Sequence, residues 1–173
     1  MAKTLRISLT VLYVFLILVI QTTVLSYARV FGIIPNLLLI SSVCYLLVTS
    51  DIRGLIFSVA CGILLDITGG RIIGVNTLLC TYIAFSCLWI CDKLYNNNEI
   101  IAAFFTLVIT VAYGLLIYVI NFLLWGEMNV FYALFRLALP EALYNALLAL
   151  FIYPLIKLIV IGPKKKREKV KYL

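Results

Sequence analysis

Two carboxylates and four side-chain amides interrupt otherwise apolar sequence: Asp66 and Glu141, with Gln21, Asn76, Asn121 and Asn145. A carboxylate pair suits acid/base work on a bound group. The same residues equally suit a polar cavity or a docking surface. Catalysis of the commoner kinds lacks its other parts. The chain has no histidine, which removes imidazole bases, Ser–His nucleophiles and imidazole-ligated metal together. There is no metal motif and no phosphate-binding glycine loop. The five cysteines, Cys44, Cys61, Cys80, Cys87 and Cys91, lie in apolar stretches and form no Cys-x-x-Cys pair. Cys80, Cys87 and Cys91 share one helical face at i, i+7 and i+11, a pattern explained by small residues packing on a buried face. The expectation is a protein that is not an enzyme and uses no cofactor, metal or disulfide framework.

The elements that must position these residues are membrane helices. The chain is 173 residues long, 65% hydrophobic and 12% charged, with a mean hydropathy of +1.18. A soluble surface needs about a quarter or more charged residues. One transmembrane helix takes roughly 20 apolar residues, so six helices with their loops consume nearly the whole chain. The expected fold class is all-α: a polytopic transmembrane bundle of six helices, forming a single domain over residues 1–163, followed by a basic cytoplasmic tail at 164–173.

Apolar runs and breaks place the spans at about 7–25, 34–48, 54–67, 73–91, 100–125 and 140–161. The second and third are short, since 15 helical residues rise only about 22 Å against a ~30 Å hydrocarbon core. Residues 126–139 read as a short helix lying on the membrane surface. Pro140 then suits the first position of the last helix. On the third helix Gly54, Ser58, Gly62 and Asp66 fall four apart in one narrow stripe. Small residues at that spacing let helix backbones approach closely.

Charge orders the chain across the membrane. With both termini cytoplasmic, only Arg29, Arg71 and Arg136 lie outside, and the other eleven of the 14 Lys and Arg lie inside. That is the bias of cytoplasmic loops. It accounts for the net charge of +7 without nucleic acid as a partner. It also puts Gln21, Asp66, Asn76, Asn121, Glu141 and Asn145 in the outer half, where they serve either as interhelical hydrogen bonds, with Asp66 paired to Arg71 or Arg136, or as one partner or cavity site. Ionisable groups at membrane depth usually face the bundle interior. In the tail, Lys164, Lys165, Lys166 and Arg167 are expected to contact anionic lipid or an acidic partner, each worth about 1 kcal/mol near a charged leaflet.

Four stretches in order carry a family resemblance: Gln21-Thr22-Thr23; Phe31-Gly32-Ile33-Ile34-Pro35-Asn36-Leu37-Leu38-Leu39; Arg53-Gly54 with Gly62-Ile63-Leu64-Leu65-Asp66 and the glycines through Gly74; and Leu139-Pro140-Glu141-Ala142-Leu143-Tyr144-Asn145-Ala146-Leu147-Leu148, continuing to Tyr153-Pro154-Leu155. Over nearly its full length the chain resembles the MreD family of rod shape-determining membrane proteins. Asn36 stands where that family typically has Asp, so a role needing a charge there does not carry over. The resemblance implies a non-enzymatic subunit of the cell-elongation machinery in the bacterial cytoplasmic (inner) membrane. Its implied partners are MreC, the glycan polymerase RodA, a class B penicillin-binding protein and the actin-like MreB. It also implies a fold like the substrate-binding components of energy-coupling-factor vitamin transporters. The alternative is therefore a small-molecule or lipid-binding membrane protein.

The orientation has a direct test. A reporter active only outside the membrane is expected to be silent when fused after Tyr172 and active when fused near Gly126. The reverse pattern would overturn the placement of every loop.

Overall fold

In the computed structural model of the chain the residues described are 3–24, 33–69, 72–94, 98–126 and 133–162. They form an all-helical bundle of six helices. Helix α1 is Lys3–Val19, extended by a wide π turn at Ile20–Val24; α2 is Leu37–Thr49, α3 Ile52–Gly69, α4 Val75–Leu94 and α5 Glu99–Trp125; a second π turn at Ala133–Ala138 leads into α6, Leu139–Val160. Four segments are long and apolar enough to cross a membrane: Arg6–Thr23, Ile52–Gly69, Glu99–Leu124 and Leu134–Val160.

The short second span is the core of the bundle. Helix α2 has 13 residues, none charged, and ten are buried. An α-helix that is apolar on every side belongs in an interior. Here α2 touches all five other helices, so its rise of about 20 Å is surrounded largely by protein. The third span is longer than its apolar run implies, because α3 begins at Ile52, two residues before Gly54, and runs through Gly69. Asp51 starts it: the carboxylate accepts the Arg53 N–H at 2.9 Å and pairs with the Arg53 guanidinium at 2.6 Å.

Around α2 the other helices form two pairs, α3 against α4 and α5 against α6, while α4 and α5 meet only sparsely. The small-residue stripe serves two contacts rather than one. A Cβ on Gly54 would lie 2.6 Å from the Leu46 side chain and 2.9 Å from the Leu46 Cα, both on α2. A Cβ on Gly62 would lie 2.6 Å from the Thr77 Cα on α4. The stripe therefore seats α3 on α2 at one end and on α4 at the other, with Ser58 donating to the Ser42 carbonyl at 3.5 Å between them.

Helix α1 lies against α2 and α6. Tyr13 and Ile17 are buried, whereas Ile7, Val11 and Phe15 are exposed, as a lipid-facing surface would be. Its start is tied to the end of α6 by Arg6, whose guanidinium donates to the carbonyls of Val160 at 3.0 Å and Ile161 at 3.3 Å. A cation there complements the helix dipole.

One expectation is corrected. Residues 133–138 do not form a separate surface helix but a π turn continuous with α6. Pro140 has no N–H to give and crowds the carbonyl one turn back, and a wider turn relieves both. Gly114 of α5 accommodates this segment: a Cβ there would stand 3.2 Å from the Ala138 Cβ. Val130 and Phe131, also assigned to the surface helix, lie outside the described residues.

Candidate functional site

The polar residues collect at one end of the bundle because helices alternate in direction. That end holds the last turns of α1, α3 and α5 and the first turns of α2, α4 and α6. A helix start leaves its first N–H groups without partners, and hydrocarbon supplies no water to replace them. Most of the polar side chains are spent on this shortage.

The start of α2 is closed by three side chains. Asn145 on α6 accepts the Asn36 N–H at 3.0 Å, Gln21 at the end of α1 accepts the Leu37 N–H at 2.8 Å, and Asn36 accepts the Leu39 N–H at 3.0 Å. Gln21 also donates to the Pro35 carbonyl at 3.3 Å. Asn145 is fully buried and donates to the Thr110 hydroxyl of α5 at 3.3 Å. One residue of α6 thus links α2 to α5. Glu141, one turn before Asn145, is half-buried and within hydrogen-bonding reach of its amide. Its place in the first turn of α6 suits a negative charge.

Asp66 closes the start of α4. Its carboxylate accepts the N–H groups of Asn76 and Thr77, each at 3.0 Å, and the Thr77 hydroxyl. Gly74 turns the chain into α4 at a φ of +99°, a left-handed angle that glycine takes freely. Gly62 lies one turn before Asp66 and admits the α4 backbone to the same place, so close approach and cap act together. Asn76 in turn accepts the Tyr113 hydroxyl of α5 at 2.6 Å. This bond crosses the gap between the two helix pairs.

Five of the six residues singled out from sequence therefore form two chains, not one cluster, and Asn121, which donates to the Ile117 carbonyl of its own helix, joins neither. Gln21, Asn145 and Glu141 gather around the start of α2, and Asp66 and Asn76 around the start of α4. A cavity of about 490 Å³ draws on both: it is lined by Gln21, Asn76 and Asn121, together with Asn36, Tyr113 and a set of aliphatic side chains, and not by Asp66, Glu141 or Asn145. Asp66 instead borders an apolar groove of about 660 Å³ between α3 and α4, beside Ile63, Ile67, Leu78 and Tyr82. With both oxygens accepting, the Asp66 carboxyl is committed to a helix end rather than free to act as a base.

Tyr113, Thr110 and Asn36 complete the network, a role not legible from their positions in the sequence. The available signal was the spacing of Thr106, Thr110 and Tyr113, at i, i+4 and i+7 on one face of α5. Among the described residues no three His, Cys, Asp or Glu side chains converge as metal ligands. Cys44, Cys61, Cys80 and Cys87 are buried free thiols, and the Cys91 side chain lies outside the described residues. So do Lys164, Lys165, Lys166 and Arg167.

The sequence model of one family, described as the rod shape-determining protein MreD, matches residues 1–160. No curated protein and no solved structure matches the chain.

The Asp66 cap makes a stability prediction. Asp66→Asn replaces one acceptor oxygen by an amide that faces donors, leaving at least one buried N–H unpaired. The expected loss is about 1–3 kcal/mol, read from unfolding of the purified chain in detergent by added sodium dodecyl sulfate. Unfolding at the wild-type detergent fraction would show that the α4 donors have other partners.

Proposed function

The chain belongs to the rod shape-determining protein MreD family, and on that premise we propose that it is a non-enzymatic subunit of the machinery that elongates rod-shaped bacterial cells. The observation that carries this reading is the family match over residues 1–160 of a 173-residue chain. A role in rod-shape determination follows from the family, and four apolar helices make the chain an integral membrane protein. The finer proposal places it in the cytoplasmic membrane with both termini inside. There it associates with MreC and, through that partner, with RodA, a class B penicillin-binding protein and MreB.

The hydrogen bonding of the polar groups supports a binding role over a catalytic one. The buried carboxylate Asp66 is held by α4 donors, and the buried Asn145 amide by α2 and α5. Such groups make a rigid frame whose outer faces are apolar: Ile56 and Ile67 on α3, Phe85 and Trp89 on α4 and Phe151 on α6 are all exposed. Partner helices or lipid cover such faces in a membrane. The site proposed at Gln21, Asn76, Asn121, Asp66, Glu141 and Asn145 acts on partners indirectly, its buried members Asp66 and Asn145 fixing the helix starts and so the shape of the outer end. Lys164, Lys165, Lys166 and Arg167 are proposed to hold the tail against anionic lipid.

A second reading is a small-molecule or lipid-binding protein similar to a vitamin-transporter component. The cavity of about 490 Å³ favours it, being within the usual ~300–1,000 Å³ of ligand pockets.

Copurification separates the two. Tagged chain solubilised from its native membranes is expected to bring down a protein with one span and an extracytoplasmic domain. Recovery of a cytoplasmic ATPase module in its place would favour the second reading and overturn the first.

A further inference from the structure

The cavity has a lining whose chemistry is specific. It lies where α4 and α5 fail to pack, and it is lined by the amides of Gln21, Asn36, Asn76 and Asn121, the Tyr113 phenol, and the hydroxyls of Thr22 and Thr68, which donate to carbonyls one turn back. None of the described residues lining it is Asp, Glu, Lys or Arg. Among the described lining residues a phosphate or carboxylate seated there would find no cation, and an ammonium group no anion. At membrane depth an unpaired charge is costly.

The hydrogen bonds of the lining leave particular valences open. Asn76 uses its oxygen on the Tyr113 hydroxyl, and Asn36 uses its oxygen on the Leu39 N–H. The amide NH₂ of each has no partner among the described residues. Asn121 does the opposite, donating its NH₂ to the Ile117 carbonyl at 2.9 Å and leaving its oxygen open. Gln21 is committed at both ends, donating to the Pro35 carbonyl before α2 and accepting from the Leu37 N–H at its start, and acts as a positioning residue. Two donor amides and one acceptor therefore come from three separate elements. Each amide NH₂ carries two donors and each amide oxygen two lone pairs. Hydroxyl groups, which both donate and accept, match all three at once. Between the amides the lining is aliphatic, with Ile117 and Ile120 on α5, suited to the C–H faces of a ring or the start of an alkyl chain. The volume of about 490 Å³ exceeds the ~30 Å³ of a single water many times over.

We infer that this cavity binds an uncharged polyhydroxyl group, a sugar or similar polyol, either free or as the head of a lipid. The inference rests on the ligand-binding reading and narrows it to one class. It leaves the assembly role intact, since the lining is distinct from the exposed apolar faces.

The test uses full-length chain in the zwitterionic detergent lauryldimethylamine oxide, because sugar detergents would compete. Native mass spectrometry is read with three probes: glucose, octyl glucoside and octyl phosphate. The wild type is expected to retain one octyl glucoside at least tenfold more tightly than octyl phosphate. Retention of glucose as well identifies a free polyol, and retention of octyl glucoside alone identifies a lipid head. Ile117→Phe, which fills the cavity without touching its hydrogen bonds, is expected to abolish retention. Asn121→Leu, close in volume, is expected to weaken it about tenfold, the worth of a good hydrogen bond. Octyl phosphate held as tightly as octyl glucoside, and lost in Ile117→Phe, would overturn the neutral class while sparing the ligand-binding reading. No retention by the wild type, or equal retention by wild type and both variants, would overturn both.

Discussion

A helix that starts inside a membrane has backbone donors with nowhere to go. Helix α2 faces that constraint most severely, because it is short, buried nearly all round and in contact with every other helix. Its first N–H groups are taken by Asn145 from α6, Gln21 from α1 and its own Asn36. These bonds satisfy the donors and also fix which helices stand beside α2, and at what height. The same solution recurs at α4, whose start is closed by Asp66 from α3. Polar side chains at membrane depth are costly on their own. Here each offsets a backbone cost that would otherwise be comparable.

From this arrangement follows the shape of the bundle. Two tightly packed pairs, α3 with α4 and α5 with α6, are each fastened to α2 and only weakly to each other. The Tyr113–Asn76 bond and the Asn145–Thr110 bond both reach α5, so that helix is where the two networks meet. The space left between the pairs is the neutral, amide-lined cavity. A frame of this kind offers two functional surfaces without conflict. Apolar outer faces suit partner helices, and a half-open space of mixed polar and apolar lining suits a small ligand.

Much of this was legible in the sequence and some was not. Hydropathy alone places six helices, and the four-residue spacing of Gly54, Ser58, Gly62 and Asp66 marks a real packing face. That the stripe divides between α2 and α4 was not legible, since spacing names a face and not its neighbour. The unusual residues Asp66, Asn76 and Asn145 stood out because charge and amide are rare in apolar runs. Their partners did not, because most are backbone N–H groups, which every residue carries. Asn36 drew notice only as a departure from the family's aspartate, yet an amide oxygen caps a helix as a carboxylate does. Tyr113 was hidden by the many aromatics of an apolar chain. The π turn before α6 was missed because a proline at a helix start ordinarily begins the helix cleanly.

Amide hydrogen exchange at the start of α2 reports on its caps directly. In wild-type chain held in detergent, the amides of residues 36–40 should exchange as slowly as those at the middle of α2. In Asn145→Leu, which keeps the volume and removes the acceptor, exchange at residues 36–40 should rise by an order of magnitude or more, one unmade hydrogen bond being worth about 1–3 kcal/mol, while α3 and α4 stay protected. Unchanged protection at residues 36–40 would show that the start of α2 is held by something other than the side chains of its neighbours.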